Sequence, residues 1–505
     1  MNDPIRLRVT AGTLGAACDE MGELLVRAAH SANIKERRDC STGLFNARGE
    51  MTMQAEHIPV HLGAMPASVA AILGEQHAPG DAWILNDPFA GGTHLPDITL
   101  LTPIFGDGGE HLGFAACRAH HADVGGRTPG SMPADSTTLA DEGVVIPPTR
   151  IAQAGAIDYA HFDAIVAPMR NPDQRAADLR AQVAACRRGE LRVRRFATKL
   201  GAAQYTSAVD ELLDYAERRT RLGIAALPDG EFTAEDSMED DGRGERHDLA
   251  LRLRVQVDGE RVVLDFSGTD KQHPGNLNCP LAVTHSACYF ALRVLAAPDV
   301  PACAGAYRPI EIVAPAGTIV NAEAPAAVAG GNVETSSRIA DLVLAAFGRA
   351  QGQGTMNNLT LGNAAFTHYE TFGGGQGACP DAPGPSAVHV AMSNTLNTPV
   401  EALELEFPLR VREYALRRGS GGKGRFAGGD GIVRELEALE PMEYSLIAER
   451  RRFRPRGTQG GGDGEPGHDS VDGDAIAGKA TGHLKLGQTL RIETPGGGAH
   501  GSTDR

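Results

Sequence analysis

Apolar side chains at Leu14, Cys18, Met21, Leu24, Leu25 and Ala28 recur at helical spacing, so residues 11–35 predict a helix that leads through a charged run to Asp39. Beyond it the pattern shortens. Residues 41–46 and 50–54, separated by Ala-Arg-Gly, predict a hairpin, and 66–73 a short helix. Residues 82–85, 98–105 and 112–117 read as buried strands, the last two joined by the turn Gly106-Asp107-Gly108-Gly109. With that turn centred near Gly108, antiparallel pairing sets residue i opposite roughly 216 − i, which places Asp97 opposite Ala119. Residues 173–222 predict long helices with Arg- and Ala-rich faces. An acidic stretch then precedes alternating strands at 249–257 and 261–266. Helices are expected at 279–300 and 334–349 and strands at 309–314, 387–393 and 403–411, while 457–467 and 495–505 read as Gly-rich loop or tail. No repeat of fixed period is present. The expectation is a large multi-domain α+β fold with antiparallel hairpins and helical layers, divided near 225–230 into units 1–228 and 229–505.

Composition narrows this picture. The chain has 505 residues, 42% apolar and 22% charged, which is longer than one core supports. Nothing approaches the ~18 consecutive apolar residues of a membrane span. With 48 basic against 64 acidic residues the net charge is −16, which opposes phosphate-driven nucleic-acid binding. The densest positive run, Glu449-Arg450-Arg451-Arg452-Phe453-Arg454-Pro455-Arg456, reads as a surface or interface segment. The N-terminus lacks the features of a secretory signal, so a cytoplasmic location is expected. Eight scattered cysteines with no CxxC pair point to buried reduced thiols.

Candidate chemistry concentrates in Asn86-Asp87-Pro88-Phe89-Ala90-Gly91-Gly92-Thr93-His94-Leu95-Pro96-Asp97. The two prolines and Asn-Asp make it loop backbone. A loop at a strand end can turn His94 and Asp97 onto one point, while the opposing strand end in Ala119-His120-His121-Ala122-Asp123 supplies His120 or His121. Consecutive strand residues point to opposite faces, so one of the two histidines faces a metal and the other serves substrate or an outer role. Mixed imidazole and carboxylate ligands suit zinc, manganese or iron(II). Elsewhere, Gly419-Ser420-Gly421-Gly422-Lys423-Gly424 is too short for a nucleotide P-loop and has Gly424 where Ser or Thr is needed. Phe372-Gly373-Gly374-Gly375-Gln376-Gly377 reads as close backbone approach, and Gly330-Gly331-Asn332-Val333-Glu334-Thr335-Ser336 as a helix cap or an anion- or carbonyl-binding helix start.

At these residues the chain resembles the hydantoinase B/oxoprolinase family, with the metal-carrying subunit of acetone carboxylase a more distant relative. The likeness runs through ERRDCSTGLFNARGEM at 36–51, HIPVHLGAMPASV at 57–69, NDPFAGGTHLPDITLLTPIF at 86–105, AHHADVGGRTPGSMP at 119–133, DFSGT at 265–269, AVAGGNVETSSRIAD at 327–341, NTPVEALE at 397–404 and GSGGKGRFAGGDG at 419–431. The resemblance implies a divalent metal held by Asp39, His94, Asp97 and His120, with His121 in reserve. Asp39 enters by resemblance alone, and Cys40 beside it stands where a Phe is common among relatives.

Relatives of this kind work with an A-type partner that binds ATP and phosphorylates the oxygen of a lactam, imide or ketone. The implied function is therefore the B-type component of an ATP-dependent cyclic amide or imide hydrolase within a hetero-oligomer. An amide resists attack because its C–N bond has partial double-bond character; phosphorylation removes that resonance, and a metal-activated water attacks the carbon. His121 or Asp123 is the expected proton acceptor. Two alternatives stand beside it: a component of an ATP-dependent acetone- or acetophenone-type ketone carboxylase, and a non-catalytic scaffold for the A-type partner.

Overall fold

The computed structural model describes residues 4–56, 58–244 and 248–503; His57, which opens the HIPVHLG block, lies outside them. The first sheet contains β1 (Cys40–Asn46), β2 (Met51–Glu56), β3 (Ala82–Leu85), β4 (Asp97–Phe105), β5 (His111–His120), β6 (Thr149–Gln153) and β7 (Ala156–Ile157), in the order β2-β1-β5-β4-β3-β6-β7. Every pairing in it is antiparallel. Successive residues alternate between two apolar clusters. Leu44, Ile84, Leu100 and Cys117 face one, while Phe45, Leu85, Leu101 and Phe114 face the other. Both faces are covered, which is why these strands read as continuous apolar runs in the sequence.

Helices α1 (Pro4–Ala28) and α2 (Pro172–Leu200) cover the first face. Leu14, Cys18, Met21 and Leu25 form the buried stripe of α1, and Leu179, Val183, Cys186 and Val193 that of α2. The first predicted helix is interrupted: α1 stops at Ala28, and a short turn, Ala32–Lys35, precedes Arg38, whose φ is +53°. Helix α3 (Ala202–Ile224) joins the second face through Leu213 and Ala216, beside the short helix Ala64–Ala70.

The chain passes to a second sheet between Ile224 and Gly230. This sheet has β8 (Gly230–Met238), β9 (Leu249–Asp258), β10 (Arg261–Asp265) and β11 (Ile310–Val313), in the order β11-β10-β9-β8, with β10 and β11 parallel. Along β9 buried and exposed residues alternate, the signature of a sheet covered on one side. Its cover includes α4 (Leu281–Ala296) and α5 (Ser336–Ala346). The same apolar cluster takes in Ile58, Val60, Met132 and Ala134 from the N-terminal half. Two further antiparallel sheets complete the α+β architecture. One is built from β12 (Asn358–Gly362), β13 (Thr367–Glu370), Met442–Ile447 and Lys479–Leu484, and the other from Leu409–Arg417, Gly431–Ala438, Thr489–Glu493, His468–Val471 and Asp474–Ile476.

Four expectations change here. The strand expected at 387–393 is irregular, because Ala387 and Ala391 hold φ of +56° and +53°. The strand expected at 403–411 begins as a helix, Val400–Glu406, and turns extended at Leu409, after Pro408. The basic run near 450 is internal: Arg450 is fully buried and pairs with Asp236 at 2.7 Å, and Arg451 pairs with Asp469 at 2.8 Å. Gly496–Gly498 are also buried, and a Cβ on Gly497 would collide with the Gln376 carbonyl oxygen.

None of the eight cysteines forms a disulfide; seven are buried and Cys379 is half-buried. Burial raises the pKa of several thiols, that of Cys279 to about 12. Iodoacetamide applied to the native protein near pH 8 is therefore expected to label Cys379 alone, and all eight cysteines after denaturation, as counted by intact mass.

Candidate metal centre

The centre is set by the register of the β4–β5 hairpin. Ile98 pairs with Ala119 and Ile104 with Gly113, but Phe105 pairs with His111. The extra residue, Leu112, forms a bulge on β5 and displaces the pairing by one from a simple count about Gly108. Asp97 consequently lies opposite His120 rather than Ala119. Directly paired residues share a face, so their side chains meet.

The loop before β4 delivers His94 to the same point. Asn86 ties the loop ends, donating from Nδ2 to the carbonyls of Leu95 (2.7 Å) and Val144 (2.9 Å) and accepting from Ile146 N. Asp87 accepts from Phe89 N in an Asx turn. Gly91 has φ +99°, and a Cβ there would come 2.6 Å from the Ala67 carbonyl oxygen. Its own carbonyl accepts from Ser68 Oγ and from the buried Arg118 guanidinium, which fastens the loop to the sheet.

His94 Nε2 and His120 Nδ1 each lie 3.3 Å from Asp97 Oδ1, and 3.2 Å from one another. The three groups can present ligand atoms within 4.8 Å of each other, and all three are buried. Thr93 Oγ1 donates to Asp97 Oδ2 at 2.6 Å. His61 Nε2 approaches the same oxygen at 3.4 Å, while His61 Nδ1 meets Ser41 Oγ at 2.9 Å. The His120 ring stacks on Tyr369 with centroids 4.2 Å apart, and the Arg37 guanidinium lies over that Tyr369 ring at 4.7 Å.

Electrostatics favour ligand-ready states. Burial pushes the Asp97 carboxyl up, but the His94 charge and hydrogen bonds from His120, His61 and His94 outweigh it and hold the group well below the usual carboxylate range. Burial lowers His120. An ionised carboxylate and a neutral imidazole are the forms that bind a metal. Among the described residues, His61 Nε2, His94 Nδ1 and His120 Nε2 have no hydrogen-bond partner. Such orphaned buried atoms, with N/O donors around a cavity of about 20 Å³, fit a small divalent ion.

Asp39 lines that cavity with its carboxylate 3.9 Å from Arg37 Nη1, and its backbone carbonyl accepts from His120 N. It lies outside the three-residue cluster. His121 and Asp123 do not line the cavity. His121 points to the opposite side of the sheet, where Nε2 meets Gln182 Oε1 of α2 at 2.9 Å, and burial lowers its pKa to about 4. Asp123 is occupied by the backbone N–H groups of Gly125, Gly130 and Arg170 and by the Arg170 guanidinium at 2.9 Å. Sequence reasoning missed His61, Tyr369 and Asn332. His61 sits in the HIPVHLG block, but no local spacing links it to the hairpin.

In the Gly419–Gly424 stretch, the N–H groups of Gly421 and Gly422 are taken by Asp430 and by the Gly497 carbonyl. They are committed to packing the glycine-rich segments together.

Comparison with known proteins places the chain. The protein 5-oxoprolinase 1 of Arabidopsis thaliana is 38% identical over 539 residues, which take in 99% of this chain and 42% of that protein. The chain spans about two fifths of the length of the curated relatives it first matches. The B-type component of a putative D-/L-hydantoinase from Pseudomonas sp. is 30% identical over 99% of this chain and 90% of its own length. The crystal structure of an ATP-dependent caprolactamase from Pseudomonas jessenii superposes with a TM-score of 0.91 at 27% identity, covering 99% of this chain and 92% of that one. The family model for hydantoinase B/oxoprolinase matches residues 3–503, and the chain belongs to that family.

Proposed function

We propose that this chain is the ring-opening component of an ATP-dependent cyclic amide hydrolase, acting in the cytoplasm with an A-type partner that binds ATP and phosphorylates the amide oxygen. The observation that carries the reading is the buried His94–Asp97–His120 cluster with its unpartnered ring nitrogens. The names borne by relatives, 5-oxoprolinase, hydantoinase and caprolactamase, support the reaction class. The correspondence in length with the hydantoinase component supports a separate partner.

His94, Asp97 and His120 would hold a divalent zinc, manganese or iron ion, with Asp39 as a fourth ligand from the cavity wall. Such an ion supplies Lewis acidity and acidifies water toward neutral pH. The chain's own residues do the rest. Thr93 fixes the Asp97 carboxylate, Tyr369 fixes the His120 ring plane, and the closed cavity excludes bulk solvent. His61, anchored on Ser41 with Nε2 facing the cavity, is the side chain placed to hold a proton. His121 and Asp123 instead position β5 and the loop after it.

Asp97→Ala is expected to lose bound metal, measured by mass spectrometry of the purified protein, and to lower ATP-coupled ring opening by at least about 100-fold. Retention of both would refute the site. A wild-type chain that takes up none of the three metals would favour a scaffold instead.

The two adjacent histidines separate cleanly. His120→Asn should release the metal, whereas His121→Asn should keep it and lower only thermal stability. Thr93→Ala, which removes the hydroxyl on Asp97, should weaken metal affinity by about 10–100-fold in a chelator competition.

A further inference from the structure

Immediately before α5, Gly331–Thr335 form a π-helical turn, a rare geometry concentrated at functional sites. Neighbouring segments fix it. Gly331 packs so closely on Asn278 that a Cβ would collide with that carbonyl oxygen. Thr335 Oγ1 donates to the Leu277 carbonyl at 2.6 Å. Just upstream, the N–H groups of Val328 and Ala329 donate to the Glu142 carboxylate at 3.0 and 2.9 Å.

The turn presents Asn332 to the wall of the cavity that His61, His94, Asp97 and His120 also line. Asn332 is 2% exposed, and its Oδ1 has no hydrogen-bond partner among the described residues. A buried amide left unpaired costs stability, so its position beside the metal ligands points to a polar partner arriving from outside the chain. A lone cap would not leave it so: the Asn332 carbonyl is taken by Ser336 Oγ, while the side chain stays unspent.

The chemistry of the side chain names that partner. A primary carboxamide offers one donor and one acceptor side by side, the arrangement by which Asn pairs with an adenine edge. A small lactam or imide ring holds its N–H and C=O on one edge, because the ring enforces the cis amide. After phosphorylation on oxygen, the ring nitrogen keeps a lone pair that the carboxamide N–H still meets. We propose that the Asn332 carboxamide recognises the N–C–O edge of the ring and holds it against the metal centre. This inference rests on the cyclic-amide reading above.

The test uses the chain reconstituted with its A-type partner and ATP, with 5-oxoproline, hydantoin and caprolactam as separate probes. Metal content, ATP consumed and ring-opened product are measured together. Asn332→Ala should keep its metal and its ATP cleavage, while ring opening falls by roughly 100-fold. Product formed per ATP should fall at least about tenfold, because the activated ring is made and not held. Asn332→Asp, of equal size, should show the same uncoupling and guards against misfolding of the alanine variant. The proposal is overturned if both variants stay within about twofold of wild type in product per ATP, or if both lose their metal, which would mark Asn332 as structural. A wild-type complex that opens none of the three rings would remove the cyclic-amide reading itself, and this inference with it, independently of the variants.

Discussion

The pairing of Asp97 with His120 across the β4–β5 hairpin is the contact on which the centre depends. Burying a carboxylate costs several kcal/mol unless it is compensated. Here Thr93 donates to Asp97, and three imidazoles surround it. The bulge at Leu112 makes this possible. A shift of one residue would turn His121 toward Asp97 and His120 toward α2. The side-chain amide of Gln182 reads the same register from behind the sheet, accepting or donating at His121 and donating to the Ile98 carbonyl. Metal-site geometry and core packing are therefore one constraint viewed from two faces.

A second polar system keeps the cavity wall in place. Asp236 on β8 pairs with Arg450, while Arg338 on α5 pairs with Glu449, which also receives Lys479. All five side chains are buried. Leaving one partner of such a pair alone in the interior costs about 3–5 kcal/mol. The network joins the second sheet to the third through α5, and α5 carries the π-turn with Asn332. The N-terminal half brings the ligands, and the C-terminal half closes the cavity with Asn332, Met356, Tyr369 and Thr395.

Much of the hairpin was legible because its causes are local. The alternation along β4 and β5, the turn glycines and the loop-forming prolines are contained in about forty residues, and they place His94 and Asp97 near a His-His pair. What chose between His120 and His121 was a bulge, which apolar pattern does not record, since Leu112 is apolar whether paired or extra. Asp39 and His61 reach the cavity only through tertiary packing, so no spacing announces them. Positions 403–411 misled for a related reason: Val400–Glu406 has apolar residues that suit a strand, and Pro399 and Pro408 rather than periodicity delimit the helix there. The arginine run near 450 misled because charge normally marks a surface, and the buried acids that neutralise it are remote in the chain.

The shared cavity also has an order of arrival. Each of the residues His61, His94, Asp97 and His120 leaves the ribosome early, and the hairpin that aligns the last three needs only its own neighbours to form. Tyr369, which braces His120, sits on β13, and β13 is bound into a sheet whose outer strand is Lys479–Leu484. During synthesis the ligands therefore exist, open to the medium, for more than three hundred residues before the wall that shuts them away from water can be built.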